Sequence, residues 1–274
     1  MIKFFRKIRY KLMNENKTGS SAETSVKAGK YLKYAIGEII LVMIGILLAL
    51  QVNNWNEARK ANESEIKLYK NALEDITLEA NNIETQIRWF KLYQDTHYQL
   101  YKESKDEIPF ESELDLNILI WTNISRPLIQ ENYATKIGDM TNKLIQELFR
   151  DYIWREKLAM EAKQEFNDFK FDVVRPFLAK HGIYDNNLAY NDKPYSFNSL
   201  DENGTVLDIN KLRAQYGTVE FDQILYGLRH SASWYLHVLD NQLLANKKLN
   251  DALIAFVNED FEKLGSIEPL KSYW

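Results

Sequence analysis

The sequence contains no cysteine, which excludes disulfides, thiolate nucleophiles and cysteine-based metal sites and leaves the chain indifferent to an oxidising compartment. Glycine and proline are scarce, ten and five in 274 residues, beside 16 Tyr, 13 Phe and 6 Trp. So few breakers argue against a turn-rich all-β architecture and favour long helices with aromatic cores. Missing too are G-x-S-x-G, H-E-x-x-H, a phosphate-cradling glycine loop and a dinucleotide fingerprint. The carboxylates are spread along helical stretches, where a solvated face accounts for them. Neither enzymatic activity nor a cofactor is expected.

Of the four histidines, His97, His181, His230 and His237, only the last two, seven apart, can share a helix face. Zinc needs three or four ligands. Asp222 and Asp240 are near this pair in sequence, but core or surface roles fit the histidines better and no metal is expected. Asp201, Asn203, Gly204 and Asp208 lack the repeated acidic positions and closing glutamate of a calcium loop, so they read as a turn. Ser231 beside His230 has no discernible acid partner.

What is present is a strongly uneven charge. Residues 1–33 hold nine Lys/Arg and two Asp/Glu, leaving 26 basic and 37 acidic residues in the remainder, a net of about −11. Such a remainder gives no reason to expect nucleic acid as a partner. With 45% hydrophobic and 27% charged residues the chain has the balance of a folding protein.

From Tyr34 to Val52 the sequence reads YAIGEIILVMIGILLALQV, nineteen residues of which eleven are Leu, Ile or Val. A helix of that length measures roughly 28 Å, against a hydrocarbon thickness of about 30 Å. At about −0.3 to −0.6 kcal/mol each, the aliphatic residues outweigh Glu38, which lies in the first turns, where a charge costs less than at mid-membrane. All nine basic residues precede the segment, and Asn53, Asn54 and Trp55 follow it. The positive-inside rule then predicts a cytoplasmic N-terminus, a transmembrane helix over 34–55, and an exported domain over 56–274. A cleaved signal peptide fits less well, because the apolar stretch is long and no A-x-A site follows Leu50.

Residues 1–13 read as a basic amphipathic helix. Lys3, Arg6, Lys7 and Arg9 flank a face bearing Phe4, Phe5 and Ile8, suited to an anionic inner leaflet; a simple orienting tail is the alternative. Residues 14–33 read as a linker. Within the apolar segment Gly37, Gly45 and Ala49 form a small-residue stripe, consistent either with self-association or with chance glycines facing lipid. Glu38 either snorkels toward the inner interface near Lys33 and Tyr34 or takes a helix-packing or proton-linked role.

Beyond the segment no breaker intervenes before a heptad-like seam of Ile66, Tyr69, Leu73, Ile76, Ala80, Ile83, Ile87 and Phe90, a stalk to be covered by another copy or by later helices. After a break at 104–109, residues 111–124 predict a shorter helix ended by Arg126 and Pro127. A long helix is expected from Asp139 to about Val174, its seam carrying Leu148, Tyr152, Ala159, Ala162, Phe166, Phe169 and Val173, with Pro176 and Gly182 ending it. Residues 183–217 predict an irregular loop with a hairpin near Asn203 and Gly204. Thr218 should N-cap a last helix ending near Gly265. The expected fold is all-α, an antiparallel helical bundle on a transmembrane stalk.

The opening MIKFFRKIRYKLMNENK, followed by KYLKYAIGEIILVMIGILLALQVNNWNE, resembles the start of a large bacterial family of small membrane proteins known only as a domain of unknown function. ENYATKIGDMTNKLIQELFRDYI and the last helix are similar to it more loosely. TGSSAETSVKAG looks like an insertion relative to that family. The resemblance implies a bacterial inner-membrane location and supplies no substrate and no catalytic residues.

Two functions fit. One is a membrane-anchored interaction or scaffold protein whose partners are the lipid bilayer, another copy of itself or an envelope protein. The other is an extracytoplasmic ligand-binding or sensor module, suggested by the long antiparallel helices and the aromatic-rich stretch 184–197. Because only about 33 residues precede the membrane segment, a sensor would have to signal through a separate membrane partner.

Overall fold

The computed structural model describes residues 24–110, 114–185 and 206–270, with side chains from residue 35 onward. The expected surface helix of residues 1–13 and the expected hairpin near Asn203 lie outside the described residues. Secondary structure is all-α: the only β pairing among the described residues is an isolated antiparallel bridge between Tyr184 and Leu207. The chain divides into two units, Met1–Glu63 and Ser64–Trp274.

Helix α1 spans Thr24–Ser104, so the linker expected over 14–33 is helical from Thr24. Extending an existing helix adds one hydrogen bond per residue without a new nucleus, and Lys27, Ala28, Lys30 and Leu32 are good helix formers, which absorbs the cost of about 1 kcal/mol at Gly29.

In the second unit α1 packs with two other long helices, α3 (Lys143–Phe169) and α6 (Val219–Val257). Three core clusters define their directions. Tyr69 and Ile76 meet Phe149 and Tyr152 of α3 and Leu249 and Leu253 of α6. Ile83 and Phe90 meet Ala159, Phe166, Tyr235 and Leu239. Leu100 meets Val174, Phe177, Leu225 and Leu228. Residue numbers rise together along α1 and α3 and fall along α6, so α6 is antiparallel to both. Phe90 is the central ring, edge-on to Tyr235 at 4.6 Å and to Phe166 at 4.8 Å, each pair adding about 0.5–1.5 kcal/mol beyond burial.

The seam of α1 differs in one flank from the expected one. Tyr69, Ile76, Ile83, Ile87 and Phe90 are buried, but Ile66, Leu73 and Ala80 are half-buried, and the closely packed flank is Glu65, Ala72 and Glu79. A helix covered on two sides needs a wider stripe than a two-stranded seam, and small Ala72 together with two hydrogen-bonded acids fills it. Glu65 accepts from the Tyr69 hydroxyl, the Thr141 hydroxyl and the Thr141 N–H, each at 2.6 Å.

Over the described part, 114–124, of the helix expected over 111–124 stand a 3-10 turn, Leu116–Leu119, and an extended strap leading to α2 (Leu128–Tyr133). Distance decides this. Leu116 belongs to the cluster of Leu100 and Ile129 to that of Ile76, residues 24 apart on α1, or about 36 Å. Thirteen residues as helix reach about 20 Å, whereas in extended form they reach about 43 Å. An extended strap therefore stands where a fourth helix would be too short.

The helix expected from Asp139 begins instead at Lys143, N-capped by Asn142, after a 3-10 turn at Ile137–Asp139. Pro176 does not end it. A π-helical turn at Lys170–Val174 leads directly into α4 (Arg175–Lys180), where proline sits at the first positions and its missing N–H costs little. The extra residue of the π turn rotates the seam, so Val174 is buried and Val173 is 40% exposed. Gly182, at φ 62°, closes the end, with Ile183 N–H donating to the Leu178 carbonyl at 2.9 Å, a Schellman closure.

The irregular stretch expected over 183–217 contains α5 (Ile209–Arg213), capped by Asp208. Thr218 does cap α6, accepting from Phe221 N–H. That helix ends at Val257 rather than near Gly265, because Glu259 takes φ 57° and Asp260 N–H bonds the Ala255 carbonyl at 2.8 Å. The chain then turns into α7 (Phe261–Ser266), returning Leu264 and Ile267 to the Tyr69 cluster.

Candidate functional site: an uncovered apolar helix and a polar-seamed bundle

In the first unit every residue from Glu38 to Trp55 is exposed. The large apolar side chains between Ile36 and Val52 lie 47–64% open, a contiguous surface far larger than soluble proteins leave to water. By length and composition this stretch can cross a membrane. Gly37 is half-exposed and Glu38, Gly45 and Ala49 are exposed. A β-carbon at Gly37 or Gly45 would meet nothing within 4 Å. Trp55 follows it, 67% exposed, with the Arg59 guanidinium 5.9 Å from its ring.

The second unit closes its own core and threads it with polar groups. The strap is held by its carbonyls. Lys170 Nζ donates to the Ile118 and Trp121 oxygens at 2.5 and 2.6 Å, and Arg175 donates to Ile120 O at 2.8 Å. Lys163 reaches Ser125 O, and Asn167 exchanges two bonds with the Asn123 backbone. These are the carbonyls at and beyond the end of a 3-10 turn, which have no partner of their own. The Asn123 side chain donates to Gln86 Oε1, which also accepts from the Tyr235 hydroxyl at 2.5 Å. α1, the strap, α3 and α6 are thereby tied at one level.

Burial perturbs the ionisable groups of this interior. It pushes Lys170 down to about 7, with Arg175 adding repulsion. His97, fully enclosed and without a hydrogen-bond partner at either nitrogen among the described residues, is pushed down to about 3 by burial and by the nearby Lys170 and Arg229 charges. Glu156 is raised to about 7 by burial, against the opposing pull of the Gln130 and Ile129 N–H groups, which donate to it at 2.6 and 3.1 Å. Burial also raises Glu79. Of these, Lys170 holds the strap carbonyls and Glu156 caps the start of α2.

The other histidines are spread apart: His181 lies 3.2 Å from Glu220, His230 stacks on Tyr226, and His237 stacks on Trp234. Among the described residues no group of three His, Asp or Glu is placed to hold a metal. One surface cleft of about 490 Å³ lies between α3 and the α2 turn, lined by Gln130, Ile137, Arg150, Ile153, Trp154 and Lys157. Sequence reasoning missed the strap anchors and the buried acids. The available signal was Lys163, Asn167 and Lys170, polar residues at steps of four and three along a helix otherwise rich in buried apolar positions.

A family model described as a family of unknown function (DUF6090) matches residues 38–115. The matched region takes in most of the apolar stretch and the whole of α1 beyond it, and ends at Asp115, just before the 3-10 turn. The opening of the chain, residues 131–153 and the last helix, where the sequence also resembles an uncharacterised family, lie outside it. No curated protein and no solved structure matches the chain.

Proposed function

We propose that this is a single-pass membrane protein, with residues 34–55 crossing the bilayer, the N-terminus in the cytoplasm and the bundle outside it, acting without catalysis as an anchored interaction or scaffold domain. The observation that carries this reading is the uninterrupted exposed apolar surface of residues 36–52, beside a second unit that buries its own core. Lipid removes that surface from water at about 25 cal/mol per Å². The basic excess before it supports this orientation, and the resemblance to a bacterial membrane-protein family supports an inner-membrane location. Two measurements test the reading. Membranes washed with alkaline carbonate should retain the chain, and crosslinking in cells should capture an envelope protein or a second copy. Release by carbonate contradicts the anchor, and an absence of all crosslinks contradicts the interaction role.

A further inference from the structure

The cleft beside α2 has a chemistry that the bundle's packing does not require. Arg150, Trp154 and Lys157 succeed one another on the outer face of α3, with the two cations seven residues, or about 10.5 Å, apart. Ile153 and Ile137, with Gln130, Ala134 and Gly138, complete the lining. No acidic side chain lines the cleft. Arg150 has no ion pair among the described residues, and Lys157 has only Glu161 at 3.9 Å, both more than 60% exposed, a pairing of little worth. Trp154 is 37% exposed. Two weakly engaged cations beside an apolar lining and a partly exposed indole, whose ring has the Arg155 guanidinium 6.0 Å from its centre, are the complement of an acidic, partly apolar ligand.

We propose that this cleft docks an acidic peptide segment of a partner protein, an apolar side chain settling on Ile153 and Trp154 with a carboxylate toward Arg150 and another toward Lys157. The inference deepens the interaction role proposed above and rests on it. An extended peptide places residues i, i+2 and i+4 on one face, the outer two about 13 Å apart, within reach of two long basic side chains about 10.5 Å apart at their Cα atoms. Acid-x-apolar-x-acid is thus the matching pattern. The cleft is broad and shallow, which suits a chain segment better than an enclosed small molecule.

The test uses the full chain in non-ionic detergent and the end-capped peptide Gly-Glu-Ser-Leu-Ser-Glu-Gly, titrated calorimetrically. Saturable binding is expected, weakening with salt and falling at least about tenfold, or 1.4 kcal/mol, in Arg150→Glu/Lys157→Glu. The peptide carrying Lys for both Glu should bind that variant and not the natural chain. Unchanged thermal melting would confirm that the surface variant is folded. No saturable binding, or binding indifferent to the double reversal, overturns the proposal. Capture of phosphatidylglycerol vesicles that depends on the same two cations would assign the cleft to lipid, and self-association that depends on them would assign it to a second copy; either result overturns it. Crosslinks to envelope proteins that survive the double reversal would sink this site and leave the interaction role standing, whereas a chain that crosslinks to nothing sinks that role itself.

Discussion

Phe169, at the end of α3, lies against Gly227 of α6 so closely that a β-carbon on Gly227 would sit 2.1 Å from the ring. The glycine sets the approach of the two helices beside the level where the seam of α3 changes register.

Gly227→Ala is accordingly expected to lower stability by about 1–3 kcal/mol through overpacking, although alanine is the better helix former. Gly265→Ala, where a β-carbon meets nothing within 4 Å, should leave stability unchanged or slightly raised. Equal melting temperatures for the two variants would contradict the contact.

Lys170→Met removes the donor to Ile118 and Trp121 and leaves two carbonyls without it. Hydrogen exchange should accelerate across 116–125 more than in the cores of α3 and α6. The Trp89–Trp121 pair, 6.3 Å apart, should change its fluorescence. Uniform acceleration throughout the bundle would mean that the lysine supports the whole fold rather than the strap.

Glu156 provides a pH dependence with a definite sign. Its folded value, about 7, lies above the ordinary 4.5. The stability it contributes is therefore fully present below pH 4.5 and is lost as pH rises to 7, with a slope of at most about 1.4 kcal/mol per pH unit. The stability difference between the natural chain and Glu156→Gln should change across pH 4.5–7 and be flat above it. A flat difference throughout would contradict a raised Glu156.

His97 runs the other way. Burial holds it near 3, below the ordinary 6.5, so its contribution is present above pH 6.5 and is lost as pH falls toward 3. His97→Leu should resist acid better than the natural chain in chemical denaturation. An equal acid response would contradict a neutral, buried imidazole.

The α1 seam was legible because Tyr69, Ile76, Ile83 and Phe90 recur at helical spacing, and the Thr218 cap because its side chain satisfies a local N–H. The strap was not. Residues 114–124 have a helix-compatible apolar pattern, and only the distance between Leu100 and Ile76 on a helix folded elsewhere shows that a helix would fall short. The π turn was equally hidden: Lys170 inside the bundle reads as a break in the pattern until the strap carbonyls it serves are in place. Glu65 and Glu156 look like surface acids from sequence because their partners at Thr141 and Gln130 come from distant segments. The cations of the cleft were individually ordinary, and only the α2 turn opposite them makes a cleft.

The account turns on residues 34–55 crossing a membrane in one orientation, and the natural absence of cysteine makes a direct measurement clean. Single substitutions Ser20→Cys and Ser266→Cys would be labelled with a membrane-impermeant maleimide in cells whose outer barrier is permeable and whose inner membrane is intact. The account predicts labelling at position 266 before lysis and at position 20 only after it. The reverse pattern, or equal labelling at both positions before lysis, would contradict it.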